Sequence, residues 1–264
     1  MAQQPLFFEK NKLDLSKESV TVTASQCNDY TAYMRNRSNN TAWITTGSVD
    51  ADNTNIVVDF VDSVNITDII LIKHNFKAYT IQYWDGAAYQ DFSTAIAETT
   101  NSAATTHHNF TQQSTTKIKL IITGTTVADS EKYLYQFIAT DRIGQFSSWA
   151  ILKPVISRTR QVSKMLSGKK SIRERAGAYA CDLQVKLTSN DSDLTIVENL
   201  HDSNNGFLFW ACGGDESQFR NERQGYRLED IYLCKCKNEY KPLWYKGGYQ
   251  TGMKIDLKLE EVVA

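Results

Sequence analysis

Alternation with a period of two recurs through the first half of the chain and restricts that half to β architecture. Ile56, Val58 and Phe60 alternate with Val57, Asp59 and Val61, and Tyr79, Ile81 and Tyr83 alternate with Thr80, Gln82 and Trp84. Ile118, Leu120 and Ile122 alternate with Lys119 and Ile121, and Tyr133, Tyr135 and Phe137 follow the same rule. Successive strand side chains point to opposite faces, so β-branched and aromatic residues spaced this way predict half-buried strands. Asp85-Gly86 after Trp84 supplies a hairpin turn, because glycine takes positive φ at no steric cost. Short strands punctuated by turns, without a helical period, predict a jelly-roll-like β-sandwich.

The second half is mixed. Cys181, Leu183, Val185 and Leu187 share one face of a strand; Met253, Ile255, Leu257 and Leu259 share another, with Lys254, Asp256 and Lys258 opposite. Between them, Asp191-Ser192-Asp193 can cap a short helix carrying Leu194, Val197 and Leu200, ended by Asn204-Asn205-Gly206. Gly206-Phe207-Leu208-Phe209-Trp210 then reads as a buried strand. The expected class is mainly β, with a C-terminal small β-barrel or sandwich containing one helix. Composition sets the division: 21 of 25 Thr precede residue 153, residues 1–152 have net charge −4, and residues 153–264 have +3. The expected domains are therefore 1–152 and 153–264, the second beginning with a basic arm at 153–177.

Several classes are disfavoured at once. A formal charge of −1 does not suit a globally basic nucleic-acid coat. The longest aliphatic run, Ile69-Ile70-Leu71-Ile72, is far short of the ~20 residues of a membrane helix, so no membrane insertion is expected. Met1-Ala2-Gln3-Gln4-Pro5 shows no signal-peptide pattern, and five irregularly spaced Cys do not form a secreted disulfide framework. Synthesis in a reducing cytoplasm is the expectation. No G-x-S-x-G, H-E-x-x-H or phosphate-binding loop occurs, so no catalytic residue, cofactor or metal is assigned.

Four segments in order carry a resemblance: Thr41-Ala42-Trp43, Asn55-Ile56-Val57-Val58-Asp59-Phe60, Ile66-Thr67-Asp68-Ile69-Ile70-Leu71, and Ala78-Tyr79-Thr80-Ile81-Gln82-Tyr83-Trp84-Asp85-Gly86. Over roughly residues 20–140 the chain resembles the discoidin-like (galactose-binding-like) β-sandwich. That resemblance implies a scaffold, or a module binding sugars or lipid headgroups through loops at one end. The second half, with its arm, capped helix, Phe207-Leu208-Phe209-Trp210, Cys212-Gly213-Gly214 and Gly247-Gly248-Tyr249-Gln250-Thr251-Gly252, resembles the barrel-plus-helix domain of tail-tube, distal-tail and hub proteins of long-tailed bacteriophages. Distal-tail proteins place the ring-forming barrel first. The reversed order here implies a tail-tip or baseplate component.

Candidate residues follow. Residues 153–177 hold eight basic side chains and one acid. The arm can be a solvated loop, a nucleic-acid contact or an inter-subunit element. Nucleic acid is disfavoured because no aromatic residue lies between Lys153 and Gly177 to stack bases. Lys164, Lys169, Lys170, Arg173 and Arg175 are thus expected at an oligomer interface. Trp84, Tyr89 and Trp43 are the candidate sugar contacts. His107-His108 is read as part of a polar loop. Cys181, Cys212, Cys234 and Cys236 with His201, and Asp59, Asp62 and Asp68, are weighed as metal ligands and left as core and solvated residues. The reading placed first is a structural protein of a phage tail tip or baseplate, located in the virion. Its second half would form a sixfold or threefold homo-oligomeric ring beside tail-tube and hub proteins, and its first half would decorate that ring. The alternative is a carbohydrate-binding adhesion module recognising a host-surface glycan.

Overall fold

The computed structural model describes residues 5–47, 49–146, 150–156, 159–164, 170–175, 179–187, 191–203, 206–211, 213, 229–241, 243–247 and 250–262. In chain order the elements are β1 (Leu6–Glu9), β2 (Thr21–Ala24), a 3-10 helix (Asn28–Arg35), β3 (Trp43–Ile44), β4 (Thr54–His74), β5 (Phe76–Trp84), β6 (Tyr89–Glu98), β7 (Thr106–Thr125), β8 (Tyr133–Thr140) and β9 (Arg142–Gln145). They continue with β10 (Ala150–Ile156), β11 (Thr159–Lys164), β12 (Lys170–Arg175), β13 (Tyr179–Leu187), α1 (Asp191–Asp202), β14 (Phe207–Trp210), β15 (Ile231–Cys236), β16 (Leu243–Gly247) and β17 (Gln250–Glu261). The protein is mainly β, as its alternation requires.

The chain forms two compact units, one of Glu9–Arg142 and the other of Met1–Phe8 with Ile143–Ala264. The boundary expected after Leu152 falls inside the second unit. Residues 1–8 and 143–152 carry no charged side chain, so assigning them to either half leaves both charge sums unchanged.

In the first unit the strand order is β3-β8-β4-β7-β5-β6, with β2 also on β4. β4 is 21 residues long and β7 is 20, and their ladder breaks twice. Pairing runs from Thr54↔Ile122 to Asp59↔Lys117 and resumes at Val64↔Thr115, so Phe60–Ser63 oppose Thr116 alone. It shifts again between Ile66↔Gln113 and Asp68↔Asn109. Extra residues in one strand bend it and increase its twist. Val61 in the first bulge takes φ 65°, and its N–H donates to Asp59 Oδ1 at 3.0 Å. Before the bulge β4 lies beside β2; after it, β4 pairs with β8 from Asp68↔Thr140 to His74↔Leu134. One core joins the two parts, including Ile56, Val58, Ile81, Leu120, Ile69, Leu71, Leu134 and Phe137.

Of this unit's buried charged residues, Asp68 and Lys132 stitch its distant segments together. Asp68 on β4 is fully buried and accepts from His107 Nε2 (2.7 Å), Thr67 Oγ1 (2.5 Å) and the Arg142 guanidinium. Burial pushes its carboxyl up, but the bonds from His107, Arg142 and Thr67 outweigh it and hold the group below the usual carboxylate range. Lys132 is also fully buried. Its ammonium donates to Asp52 O (2.7 Å), Thr54 Oγ1 (3.1 Å) and Val49 O (3.3 Å), fixing the loop before β4. Burial pulls the lysine below its ordinary range while Asp50 and Asp52 push it back.

The second unit is built on an eight-stranded sheet, β10-β13-β17-β15-β14-β1-β9, with β16 on β17. Cys181, Leu183 and Val185 on β13, and Ile255, Leu257 and Leu259 on β17, are buried. β14 is buried on both faces, and α1 buries Ile196, Val197 and Leu200. Phe7 of β1 packs on Phe146 (5.2 Å), Phe209 (5.5 Å) and Phe207 (6.0 Å). β11 and β12 form a separate two-stranded sheet.

Replacing Lys132 by Met removes three hydrogen bonds to one loop and strands their acceptors. We expect the sandwich to lose about 2–4 kcal/mol, read by calorimetry of the full chain. An unchanged transition would show that the ammonium does not secure the loop.

Candidate functional site

The β5–β6 hairpin builds the site. Asp85 Oδ1 accepts the N–H groups of Ala87 and Ala88, both at 2.7 Å, and Gly86 adopts φ 107°, so the four-residue turn closes on its own aspartate. The strand ends beside it place Trp84 directly opposite Tyr89. Their rings meet edge to face, with centroids 5.1 Å apart, and both residues are half-buried. Thr115, buried at the β7 register break, anchors the Trp84 backbone: its hydroxyl oxygen takes the Trp84 N–H at 3.2 Å and lies 2.8 Å from the Trp84 carbonyl.

Polar side chains surround this pair on the sheet. Lys119 places Nζ 5.3 Å from the Tyr89 ring centroid. Lys117 pairs with Asp59 at 2.7 Å, raising the lysine and holding the carboxyl below its ordinary range. Gln82 donates to Asp91 Oδ1 at 3.0 Å. The register sets Gln82 opposite both Asp91 and Lys119, and Asp59 opposite Lys117. Burial pushes the Tyr89 phenol above its usual range.

Trp84 and Tyr89 are therefore brought together, and Trp43 is not with them. Trp43 is fully buried in the core, its indole N–H donating to Gln26 O at 3.2 Å, so its ring is closed to a ligand. Lys164, Lys170, Arg173 and Arg175 fall on β11 and β12, in backbone positions only; Lys169 and Cys212 lie outside the described residues. His107 and His108 are on β7, paired with Ile70 and Ile69, instead of in a loop. Asp59 and Asp68 are occupied by Lys117 and by Arg142 with His107, and Asp62 is exposed. Cys181 and Cys234 are buried and Cys236 is half-buried, and burial pushes Cys236 up to about 12.

A second aromatic pair was not anticipated. Tyr30 and Tyr33, 51% and 39% exposed, stack at 5.9 Å and 18° on the 3-10 helix. Residues three apart eclipse in a 3-10 helix, so the spacing in Asn28-Asp29-Tyr30-Thr31-Ala32-Tyr33 was the available signal. Arg35 braces the helix by donating to Leu13 O (2.6 Å) and Lys17 O (3.2 Å).

Beneath the sheet lies a neutral network. The Phe76 N–H donates to His74 Nδ1 at 3.1 Å, leaving His74 Nε2–H to donate to Thr106 Oγ1 at 3.1 Å. Tyr79 OH donates to the same oxygen at 3.0 Å, so His108 Nε2 donates to Tyr79 at 2.8 Å. Burial, then His108, lowers His74 to about 4; burial, then His107, lowers His108 to about 4; burial raises Tyr79 to about 12.

No family model and no curated protein matches the chain. Among solved structures it is similar to chitosan-binding module 1 of a Paenibacillus sp. IK-5 chitosanase/glucanase, at 20% identity over 50% of this chain and 98% of that one, TM-score 0.41. It is also similar to CpGH89CBM32-5 of Clostridium perfringens, solved with GalNAc-β-1,3-galactose, at 15% identity over 47% and 97%, TM-score 0.39. A third is a putative α-L-fucosidase of Bacteroides thetaiotaomicron, at 13% identity over 50% and 29%, TM-score 0.42. At these TM-scores no residue role is carried from them to this chain.

The two histidines generate a pH prediction. Their folded pKa lies below the unfolded value of 6.5, so the stability they contribute is complete above pH 6.5 and is lost as pH falls towards about 4. Fully protonating His74 costs up to ~3 kcal/mol. His74→Gln with His108→Gln is expected to flatten the dependence of Tm on pH across that window. An equally steep dependence in the double variant would place its origin elsewhere.

Proposed function

We propose that this chain is a non-enzymatic binding protein whose sandwich takes a carbohydrate at the Trp84–Tyr89 pair. The observation that carries the reading is this half-exposed cross-strand aromatic pair, held on a hairpin and ringed by paired polar side chains. An aromatic face packs against the C–H groups of a pyranose, and neighbouring donors and acceptors satisfy its hydroxyls. Lys119, Gln82 and Asp91 supply such groups within the same register. Sites fixed on strands lose little entropy on binding, which suits a rigid sugar. This order reverses the one drawn from sequence, since the sandwich presents a defined aromatic surface.

A second reading takes the β11–β12 ribbon, which among the described residues pairs with no other strand, as an inter-subunit arm. In it the chain is a structural part of a phage tail tip or baseplate in the virion. The second unit joins a ring with tail-tube and hub neighbours, and the sandwich decorates it. The two are compatible, because a decorating sandwich can hold a host-surface glycan.

The test is a glycan array probed with the full chain, followed by calorimetric titration of any hit. Trp84→Ala and Tyr89→Ala are each expected to weaken binding at least ~10-fold, about 1.4 kcal/mol, with circular dichroism unchanged. Absence of any glycan binding, or binding indifferent to both substitutions, would overturn the reading.

A further inference from the structure

Among the described residues the β11–β12 ribbon joins neither of the two larger sheets. β10 and β13 pair from Ala150↔Val185 to Ile156↔Tyr179 within the eight-stranded sheet. The chain then continues into β11 and β12, which pair from Thr159↔Arg175 to Lys164↔Lys170 and, among the described residues, with no other strand. A lone two-stranded hairpin is marginally stable in water. Charge makes this one worse: residues 159–175 contain six basic residues, Arg160, Lys164, Lys169, Lys170, Arg173 and Arg175, against Glu174. The register sets Lys164 directly opposite Lys170, a like-charge pair that destabilises a ladder. Basic residues along a strand edge also discourage pairing with another basic strand. An anionic surface relieves both costs, and a second ribbon does not.

The same chain carries a complementary surface. At one end of the sandwich the loops holding Asp50 and Asp129 are tied together: the Asp50 N–H donates to Asp129 Oδ1 at 2.9 Å, and Thr125 Oγ1 donates to Asp50 Oδ1 at 2.8 Å. Asp52 and Glu131 lie in the same loops and are exposed, and so are Val49 (42%) and Val127 (70%). Lys132 sits beneath them fully buried, its ammonium directed at Val49 O, Asp52 O and Thr54 Oγ1. None of the four carboxylates forms a salt bridge among the described residues, although Asp50 and Asp52 interact electrostatically with the Lys132 ammonium beneath them. The end therefore offers acid and aliphatic surface together, while the ribbon brings Val162 and Ile172 opposite each other amid its basic positions.

We propose that the β11–β12 ribbon of one copy docks on the acidic loop end, Val49 to Asp52 with Val127 to Glu131, of a second copy. The contact joins two different surfaces, so it propagates head to tail and closes into a ring wherever the rotation permits. It goes beyond the carbohydrate reading and does not depend on it; glycan binding at Trp84 and assembly through the ribbon fail or succeed separately.

Sedimentation velocity of the full chain at about 50 mM and about 500 mM salt tests this. The expected result is concentration-dependent assembly at low salt that dissociates at high salt. Lys164→Glu with Lys170→Glu, and separately Asp129→Lys with Glu131→Lys, should each weaken assembly at least ~10-fold. The two pairs combined should restore it, which a merely misfolded variant cannot do. If the glutamate pair disturbs the circular dichroism, Lys164→Gln with Lys170→Gln is expected to weaken assembly in the same direction. The proposal is overturned if the unmodified chain stays monomeric at low salt, or if assembly ignores either pair. It is also overturned if the ribbon variants lose binding to duplex DNA while the acidic variants leave assembly unchanged.

Discussion

The bend in β4 at Phe60–Ser63 is the constraint on which the sandwich depends. A straight strand of 21 residues would extend roughly 70 Å, far more than a domain of this size can cover. Four residues facing one on β7 break the ladder there and redirect the strand, so a single hydrogen-bonded sheet supplies both sides of one core. The backbone stores strain to achieve this, with a β-branched residue, Val61, in the left-handed region. The second register break, between Ile66 and Asp68, brings Asp68 to the position where His107 and Arg142 meet it.

The interior of this unit is more polar than its alternation suggests, and the polarity is organised. Asp68 and Lys132 are buried charges of opposite sign, each supplied with partners; His74 and His108 are kept neutral instead. Burying an ion without partners is prohibitive, whereas a neutral imidazole needs only its two ring nitrogens satisfied. Each solution ties segments distant in sequence: Lys132 fastens the loop from Val49 to Thr54, Asp68 fastens β7 and Arg142, and Thr106 joins His74 to Tyr79.

Periodicity made the strands legible because it reports which side chains share a face. β4, β5, β7, β8, β13 and β17 could be recognised that way, β14 from its unbroken apolar run, and α1 from Leu194, Val197 and Leu200. It does not report which sheet a strand joins. Leu6–Glu9 is four residues without a charge until its last, so nothing in its pattern signalled its place between β14 and β9. Bulges also erase the signal: across Val61–Thr67 the alternation lapses because the ladder does. The polar run at Thr106-His107-His108-Asn109 looked like a loop because its half-buried members find hydrogen-bond partners outside the run, in Asp68, His74 and Tyr79, without apolar surface. Of the aromatics, Trp84 and Tyr89 were readable from the turn between them. The burial of Trp43 was not, since an aromatic in a strand has the same period inside the core or outside it.

The position of β1 has a consequence for how the protein is made. Its Leu6, Phe7 and Phe8 are buried, with Phe7 against Phe207 and Phe209 and Phe8 against Trp210, which the ribosome supplies about 200 residues later. At ~5–20 residues per second, this apolar segment waits on the order of ten seconds or more with its partners not yet synthesised. The sandwich, Glu9–Arg142, can close during that interval, and the second unit cannot. The second unit thus depends on a strand translated about 200 residues before its partners, which must stay soluble until then. A fusion placed directly before Leu6 would load the one strand whose insertion completes the sheet.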